Sequence, residues 1–314
     1  MPLKTERNWA RAEIGEAAHA ALARGLAASE LWSLLLGVME QRAALRTATS
    51  VRQQWERDRF VCPAYVDQRT LNALDGHLLA AAPSFEALEL SPLAPLGSCS
   101  AIGLTSQNRI VSTIRGTEVV SDPTNLLALE SARRLRKDPT QIVKLTTSHR
   151  CVRAQQVPRL PGYAAHFRMF SLTTAGHERK DHGLLVESLS EHIRTHVSAL
   201  NRLEQHGYGF PARTIKILAT PARASLGRRI ADALDGMPVM FETLAHDYYD
   251  GLRFMIGARC PSGEQIPLID GGAFDWLGKL TSNHKLILVA SALGSQLAAY
   301  LYRLPATTAA DELR

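Results

Sequence analysis

The sequence predicts an α+β protein: an antiparallel sheet flanked by helices, with a helical segment ahead of it. Three observations lead there. Residues 8 to 58 are dominated by Ala, Leu, Glu, Arg and Gln, with apolar residues at three- and four-residue spacings. From residue 85 onward, β-rich runs are joined by short turns or a proline loop, as antiparallel neighbours allow. Helical stretches separate some of these runs, but without the regular strand–helix–strand rhythm of a parallel sheet.

In the first stretch, Leu22, Leu26, Leu31, Leu35, Val38 and Met39 mark an apolar stripe, and a break at Gly25 or Ser29 makes two helices. Trp9, Trp32 and Trp55 would anchor these helices on a body or a partner, core packing being the simpler reading. A helix follows over 67 to 82, then an alternating strand from Phe85 that ends at Pro92. Arg109 to Ile114 and Glu118 to Val120 read as the arms of a hairpin about Arg115-Gly116-Thr117. Ser121-Asp122-Pro123-Thr124 is a helix start, because Asp accepts from the first free amides and Pro suits the first turn. Ile142 to Val152 is a strand, Pro158, Pro161 and Gly162 lie in a loop, and Phe167 to Thr174 returns antiparallel. Next come a helix over 181 to 205, a strand over 214 to 218, a helix over 226 to 234 and a strand over 238 to 242. The tail reads as strands near 252 to 258 and 265 to 269, a glycine turn at Gly271-Gly272, a short helix, a strand over 285 to 290 and a helix over 294 to 303.

Composition narrows the function. The 314 residues are 46% hydrophobic and 21% charged, which excludes wholesale disorder and leaves a soluble globular chain. The longest apolar runs, such as Leu34 to Met39, fall far short of the ~20 residues of a membrane span, and the charged start does not resemble a signal peptide. Four widely separated cysteines form neither a zinc motif nor a disulfide framework, which suits a reducing cytoplasm. The net charge is +6, and residues 131 to 168 hold nine basic groups and one acid, leaving 27 basic against 29 acidic residues elsewhere. Such a segment either draws an anion, most simply phosphate, or is a solvated helix face followed by a strand.

No phosphate-binding glycine loop, zinc-protease helix or nucleophile elbow is present. His192 and His196 share a helix face at a spacing that can hold a metal, but with no acid or cysteine tied to them they read as exposed or packing histidines, and no metal site is expected.

An ordered set of pieces resembles the class II aminoacyl-tRNA synthetase core, above all histidyl-tRNA synthetase and the regulatory subunit of ATP phosphoribosyltransferase. Leu88 to Pro92 is similar to the proline-ended strand of the first class motif. Val120-Ser121-Asp122-Pro123-Thr124 resembles the turn whose acid receives the substrate ammonium, with Asp122 and Thr124 in matching places. Thr147 to Gln155, then His166-Phe167-Arg168, resembles the second motif, which casts Arg150 on the α-phosphate with Arg153 beside it, Phe167 on adenine and Gln155 in the pocket. Asp247-Tyr248-Tyr249-Asp250-Gly251 with Phe254 resembles a signature particular to the histidyl branch, as does Gly271-Gly272-Ala273-Phe274-Asp275-Trp276-Leu277, and Leu288 to Leu297 is similar to the third motif. The resemblance covers about residues 65 to 303. It implies one concave site holding Asp122, Arg150, Tyr248, Tyr249, Gly272 and Phe274, a homodimer built on the first motif, and ATP with magnesium as the cofactor such a site uses.

Departures from the pattern bear on activity. Val152 stands where a glutamate reads adenine, Leu244 where the branch has a catalytic arginine, Leu297 where an arginine clamps the γ-phosphate, and Met169 and Thr173 where histidine is read. Losing two clamp arginines removes several kcal/mol of charge stabilisation, at about 1.5–3 kcal/mol each. The division expected is a helical segment over 1–62 and a synthetase-like core over 63–314, with no anticodon-binding domain after residue 303. Charging of tRNA is therefore not expected. What remains is a protein that binds a small ligand, an amino acid or a nucleotide, and regulates a partner enzyme. The alternative is an ATP-dependent ligase that activates a non-histidine acid for a non-tRNA acceptor, and a paralogue with no ligand is a third reading.

Overall fold

The computed structural model describes residues 2–64, 66–156, 162–246 and 248–305. The chain divides into two compact units, one of residues 1–62 with 112–117, the other of 63–111 with 118–314.

The first unit is a chain of helices, α1 (Pro2–Ile14), α2 (Glu16–Ala20), a π-helical turn (Ala21–Gly25), α3 (Ala28–Ala44) and α4 (Ala48–Arg57). The break expected at Gly25 or Ser29 falls at 26–27, and two more appear. Gly15 interrupts with φ of +80°, a conformation that suits glycine. Thr47 opens α4 by accepting from the Ser50 amide at 3.1 Å. No residue of α2, α3 or α4 is buried, and Trp9 and Trp55 are 67% and 53% exposed, so the core-packing reading fails for those two. Trp32 lies against Gly116, where a Cβ would come within 2.2 Å of the indole.

The second unit opens with α5 (Gln68–Ala80), capped by Asp67. Its strands are β1 (Glu86–Ala87), β2 (Leu93–Pro95), β3 (Thr117–Val119), β4 (Val143–Val152), β5 (His166–His177), β6 (Thr214–Ala219), β7 (Val239–Thr243), β8 (Leu252–Arg259), β9 (Gln265–Phe274) and β10 (Leu286–Leu293). Its further helices are α6 (Pro123–Lys137), α7 (Gly183–Glu204), α8 (Ala224–Asp232), α9 (Trp276–Thr281) and α10 (Ser295–Leu301). Eight strands form one sheet in the order β1-β4-β5-β10-β9-β8-β6-β7, antiparallel except at the edge pairs β1/β4 and β6/β7. This is the α+β architecture the sequence predicts.

One face of the sheet carries α5, α7, α8 and α10, with Leu74, Leu189, Ile193 and Ile230 in one core with Phe170, Leu172, Phe254 and Val289. The other carries α6 and α9, with Leu127, Ala128 and Trp276 in one core with Leu145, Ala175, Leu288 and Ala290. Among the described residues no helix is long and apolar enough to cross a membrane, and Cys62, Cys99, Cys151 and Cys260 are not joined in disulfides.

Three expectations are corrected. The strand read from Phe85 to Pro92 shrinks to Glu86–Ala87, extended only by the Leu88 amide donating to the Thr146 carbonyl. The first hairpin arm is shortened: Gln107–Arg109 is a 3-10 turn and β3 also pairs with β2, while the hairpin keeps two bonds, the Thr113 amide donating to the Thr117 carbonyl and the Val119 amide to the Val111 carbonyl, each at 2.8 Å. Gly271 and Gly272 do not turn the chain but lie inside β9, opposite Ser291 and Ala290 of β10 and Phe254 and Arg253 of β8. They are glycines because neighbours come close: a Cβ on Gly272 would stand 2.3 Å from the Leu252 carbonyl oxygen, and one on Gly271 2.3 Å from the Ser291 Cβ.

Candidate functional site

A cavity of about 440 Å³ opens on the α6/α9 side of the sheet. At one end stand Asp122, Thr124 and Arg153. Asp122 caps α6: its Oδ1 accepts from the Thr124 amide at 3.0 Å and the Thr124 hydroxyl at 2.7 Å, so Thr124 serves the cap. Its Oδ2 lies 3.5 Å from Arg153 Nη2. Arg153 follows β4, donates from Nε to the Ser121 carbonyl at 3.0 Å, and lies over the Phe167 ring at 5.1 Å. Gln155 lines the same wall.

The facing wall is aromatic. Tyr248 packs edge-on against Tyr249 and Phe274 with centroids 5.0 and 5.6 Å apart, and Phe274 stacks on Trp276 at 4.1 Å. Gly272 supplies the space in which the Tyr249 ring lies. Burial holds both tyrosines in the phenol form by raising their pKa values, and the Asp270 carboxylate adds to this at Tyr249. The Tyr249 hydroxyl donates to Asp270 Oδ1 at 2.9 Å. Arg253 donates to the same carboxylate from Nε at 2.9 Å and Nη2 at 2.7 Å, and this bonding raises the guanidinium pKa.

Most of the residues expected in one site thus come together: Asp122, Thr124, Arg153, Gln155, Phe167, Tyr248, Tyr249 and Phe274 line the cavity, with Gly272 beside it. Arg150 does not join them. Side chains alternate along a strand, and Arg150 shares a face with Arg168 opposite it, which pairs with Asp75 of α5. Its Nη1 lies 2.9 Å from His166 Nδ1 and 3.3 Å from Gln296 Oε1 of α10, on the α5/α10 side. The match to the second motif is therefore one residue out of phase with the pleat, which brings Arg153 rather than Arg150 to Asp122. Val152 shares Arg150's face for the same reason. Asp247 lies outside the described residues.

Sequence reasoning missed Asp270 and Arg253. Arg253 hides between the glycine and phenylalanine of the Tyr-Tyr-x-Gly-x-x-Phe stretch, and its signal was a lone charge alternating with buried Leu252 and Phe254. The basic segment is not one field either. Arg133 and Arg134 pair with Glu130, Lys144 with Glu191, Arg153 with Asp122 and Arg168 with Asp75, while Arg159 lies outside the described residues.

These residues do not fit ATP with magnesium. Arg150 faces away, Leu244 is buried, Leu297 lines the wall, and Arg153 covers the Phe167 ring. The carboxylates Asp122 and Asp270, on which magnesium would have to rest, each face an arginine. His192 and His196 are packing histidines. Ser291 Oγ lies 2.8 Å from His192 Nδ1 and from His196 Nε2, and His192 Nε2 lies 3.0 Å from Thr174 Oγ1. Burial drives both imidazoles toward the neutral form.

Neither a protein-family model nor a curated protein matches this sequence. Solved structures do match, in fold. The ATP phosphoribosyltransferase regulatory subunit/histidyl-tRNA synthetase of Bacillus halodurans aligns with a TM-score of 0.60 at 13% identity, over 76% of this chain and 81% of that one. A histidine–tRNA ligase subunit of Alicyclobacillus acidocaldarius aligns with a TM-score of 0.57 at 14% identity, over 77% and 96%. The apo histidyl-tRNA synthetase of S. aureus aligns with a TM-score of 0.52 at 16% identity, over 74% and 64%. The fold is that of class II aminoacyl-tRNA synthetase-like catalytic domains.

Proposed function

We propose that this chain is a histidyl-tRNA synthetase-like protein that binds a free amino acid and does not charge tRNA. The observation that carries the reading is the Asp122–Arg153 pair: two opposite charges on one cavity wall, 3.5 Å apart rather than in bonded contact. A zwitterion satisfies both at once, its ammonium on Asp122 and its carboxylate on Arg153. Asp270 does not compete for the ammonium to the same degree, because Arg253 and Tyr249 already occupy it.

Adenylate formation needs cations around the phosphates where charge gathers. The cavity's carboxylates and arginines cancel, which argues against the ligase alternative. A sensing role follows: the ligand stabilises the folded form, and a partner enzyme responds. That partner is suggested by the regulatory subunit among the structural neighbours. A homodimer and a cytoplasmic setting belong to the same reading.

Thermal-shift screening against the free amino acids, with and without ATP, tests it. A shift with an amino acid alone is expected, since a ligand that binds only the folded state raises the midpoint by mass action. Histidine-dependent pyrophosphate exchange would overturn it.

A further inference from the structure

Beyond Asp122 and Arg153 the cavity changes character. On the cavity side of the sheet, adjacent strands set Gly272, Ala290 and Thr173 in one row and Asp270, Ala292 and Ser171 in the next. Past that second row the one charged lining residue among those described is Arg168, which pairs with Asp75 of α5 at 3.1 Å. The wall there is Tyr163, Phe167, Met169, Pro267, Leu268 and Leu297.

This end is built rather than loosely open. The Gly294 amide donates to the Leu268 carbonyl at 3.1 Å, which ties β9 to the start of α10. Gly162 packs so closely on Leu297 and Tyr300 that a Cβ would meet them at 3.1 and 3.2 Å. Arg153 marks the boundary, with Nη2 at 3.7 Å from Met169 Sδ and its guanidinium over Phe167.

We infer that the cavity takes an amphipathic amino acid, one whose head lies between Asp122 and Arg153 and whose apolar chain lies along Met169, Leu268 and Leu297. The inference rests on the amino-acid reading of the head and adds the class of the tail. The apolar end is the one to which the sequence resemblance assigns the nucleotide. A polyphosphate lying there would give up its hydration for two cations that already face carboxylates, Arg153 with Asp122 and Arg168 with Asp75. A hydrocarbon chain instead exchanges water for apolar wall, at a gain of about fourfold in affinity per methylene.

Calorimetric titration of the intact chain with 2-aminobutyrate, norvaline, norleucine and 2-aminooctanoate tests this, with octanoate, octylamine and ATP with magnesium alongside. Affinity should climb by about fourfold per added methylene, roughly two-hundredfold over the series. ATP should not bind. Leu297→Arg should flatten the climb, and Met169→Gln should reduce it in a chain that keeps its apolar core. A series of equal affinities overturns the inference while leaving the amino-acid reading in place, as does saturable binding of ATP with magnesium at this site. Octanoate or octylamine binding as tightly as 2-aminooctanoate overturns the amino-acid head and keeps the apolar end. Binding by none of them overturns both.

Discussion

Arg253 holds Asp270 by two parallel hydrogen bonds, Nε to Oδ1 at 2.9 Å and Nη2 to Oδ2 at 2.7 Å, while its guanidinium lies 5.3 Å from the Tyr249 ring centroid. The relationship fixes two side chains of the cavity wall, Asp270 and Tyr249, with one cation. It also explains how the cavity can hold a second carboxylate besides Asp122 without becoming strongly acidic.

Removing either donor separates its share. Arg253→Ala should cost about 1–2 kcal/mol of stability, less than a fully buried pair because Asp270 is partly exposed. Tyr249→Phe should cost about 1 kcal/mol, one neutral donor to a charged acceptor that keeps its arginine. Denaturant melts of the two variants and the double variant give the coupling, and strict additivity would show that Tyr249 and Arg253 act on Asp270 independently.

Gly272→Ala tests the close approach in β9. The added methyl would stand 2.3 Å from the Leu252 carbonyl oxygen, which is backbone and cannot rotate away, and 2.5 Å from Tyr249 Cδ1. The strand pair β8/β9 must part or the tyrosine must leave. A loss of about 1–3 kcal/mol is expected, with a changed tyrosine environment in near-ultraviolet circular dichroism. A melt equal to that of the parent chain would count against the close packing of Tyr249 on Gly272.

Much of this was legible in the chain. Alternation and turn chemistry gave the sheet from β4 to β10, and Asp122-Pro123-Thr124 gave the start of α6, because those signals are local. The glycine pair misled because Gly reads as a turn when nothing in one sequence reveals two neighbouring strands pressing on it. Arg150 misled for a related reason. A motif match carries residue order but not the phase of the pleat, and a slip of one residue moves a side chain to the other face. Asp270 lay beyond reach, since its importance comes from Arg253 across the β8/β9 ladder.

The His192–Ser291–His196 cluster sets an acid limit on stability. Both imidazoles are fully buried and held neutral, with the pKa of His196 pushed down to about 3. Below about pH 6.5, the ordinary histidine value, the unfolded chain takes up protons that the folded chain refuses. Their contribution is therefore whole above pH 6.5 and falls as pH drops, for His196 by about 1.5–2 kcal/mol between pH 6.5 and 5, with His192 acting in the same direction. His196→Gln should shrink the difference in stability between those two pH values by that amount. An unchanged difference would mean that His196 titrates normally in the folded chain.

The last prediction turns on which arginine serves the ligand. Arg153 faces the cavity and stands 3.5 Å from Asp122, whereas Arg150 is on the other face, bound to His166 and Gln296. Burial first, and then the charge of Arg168, lowers the Arg150 pKa, as expected of a guanidinium with no carboxylate bonded to it. Arg153→Ala should thus weaken amino-acid binding about ten- to hundredfold, the worth of a charge-assisted contact. Asp122, left without its neighbour, attracts the ligand ammonium more strongly and offsets part of that loss. Arg150→Ala should leave affinity in the folded fraction unchanged and lower the melting temperature, since it removes the link between β4 and α10. Titration of both variants with the same amino acid, each corrected for its folded fraction, separates the roles. A large loss of affinity in Arg150→Ala with none in Arg153→Ala would return the ligand to the opposite face of the sheet.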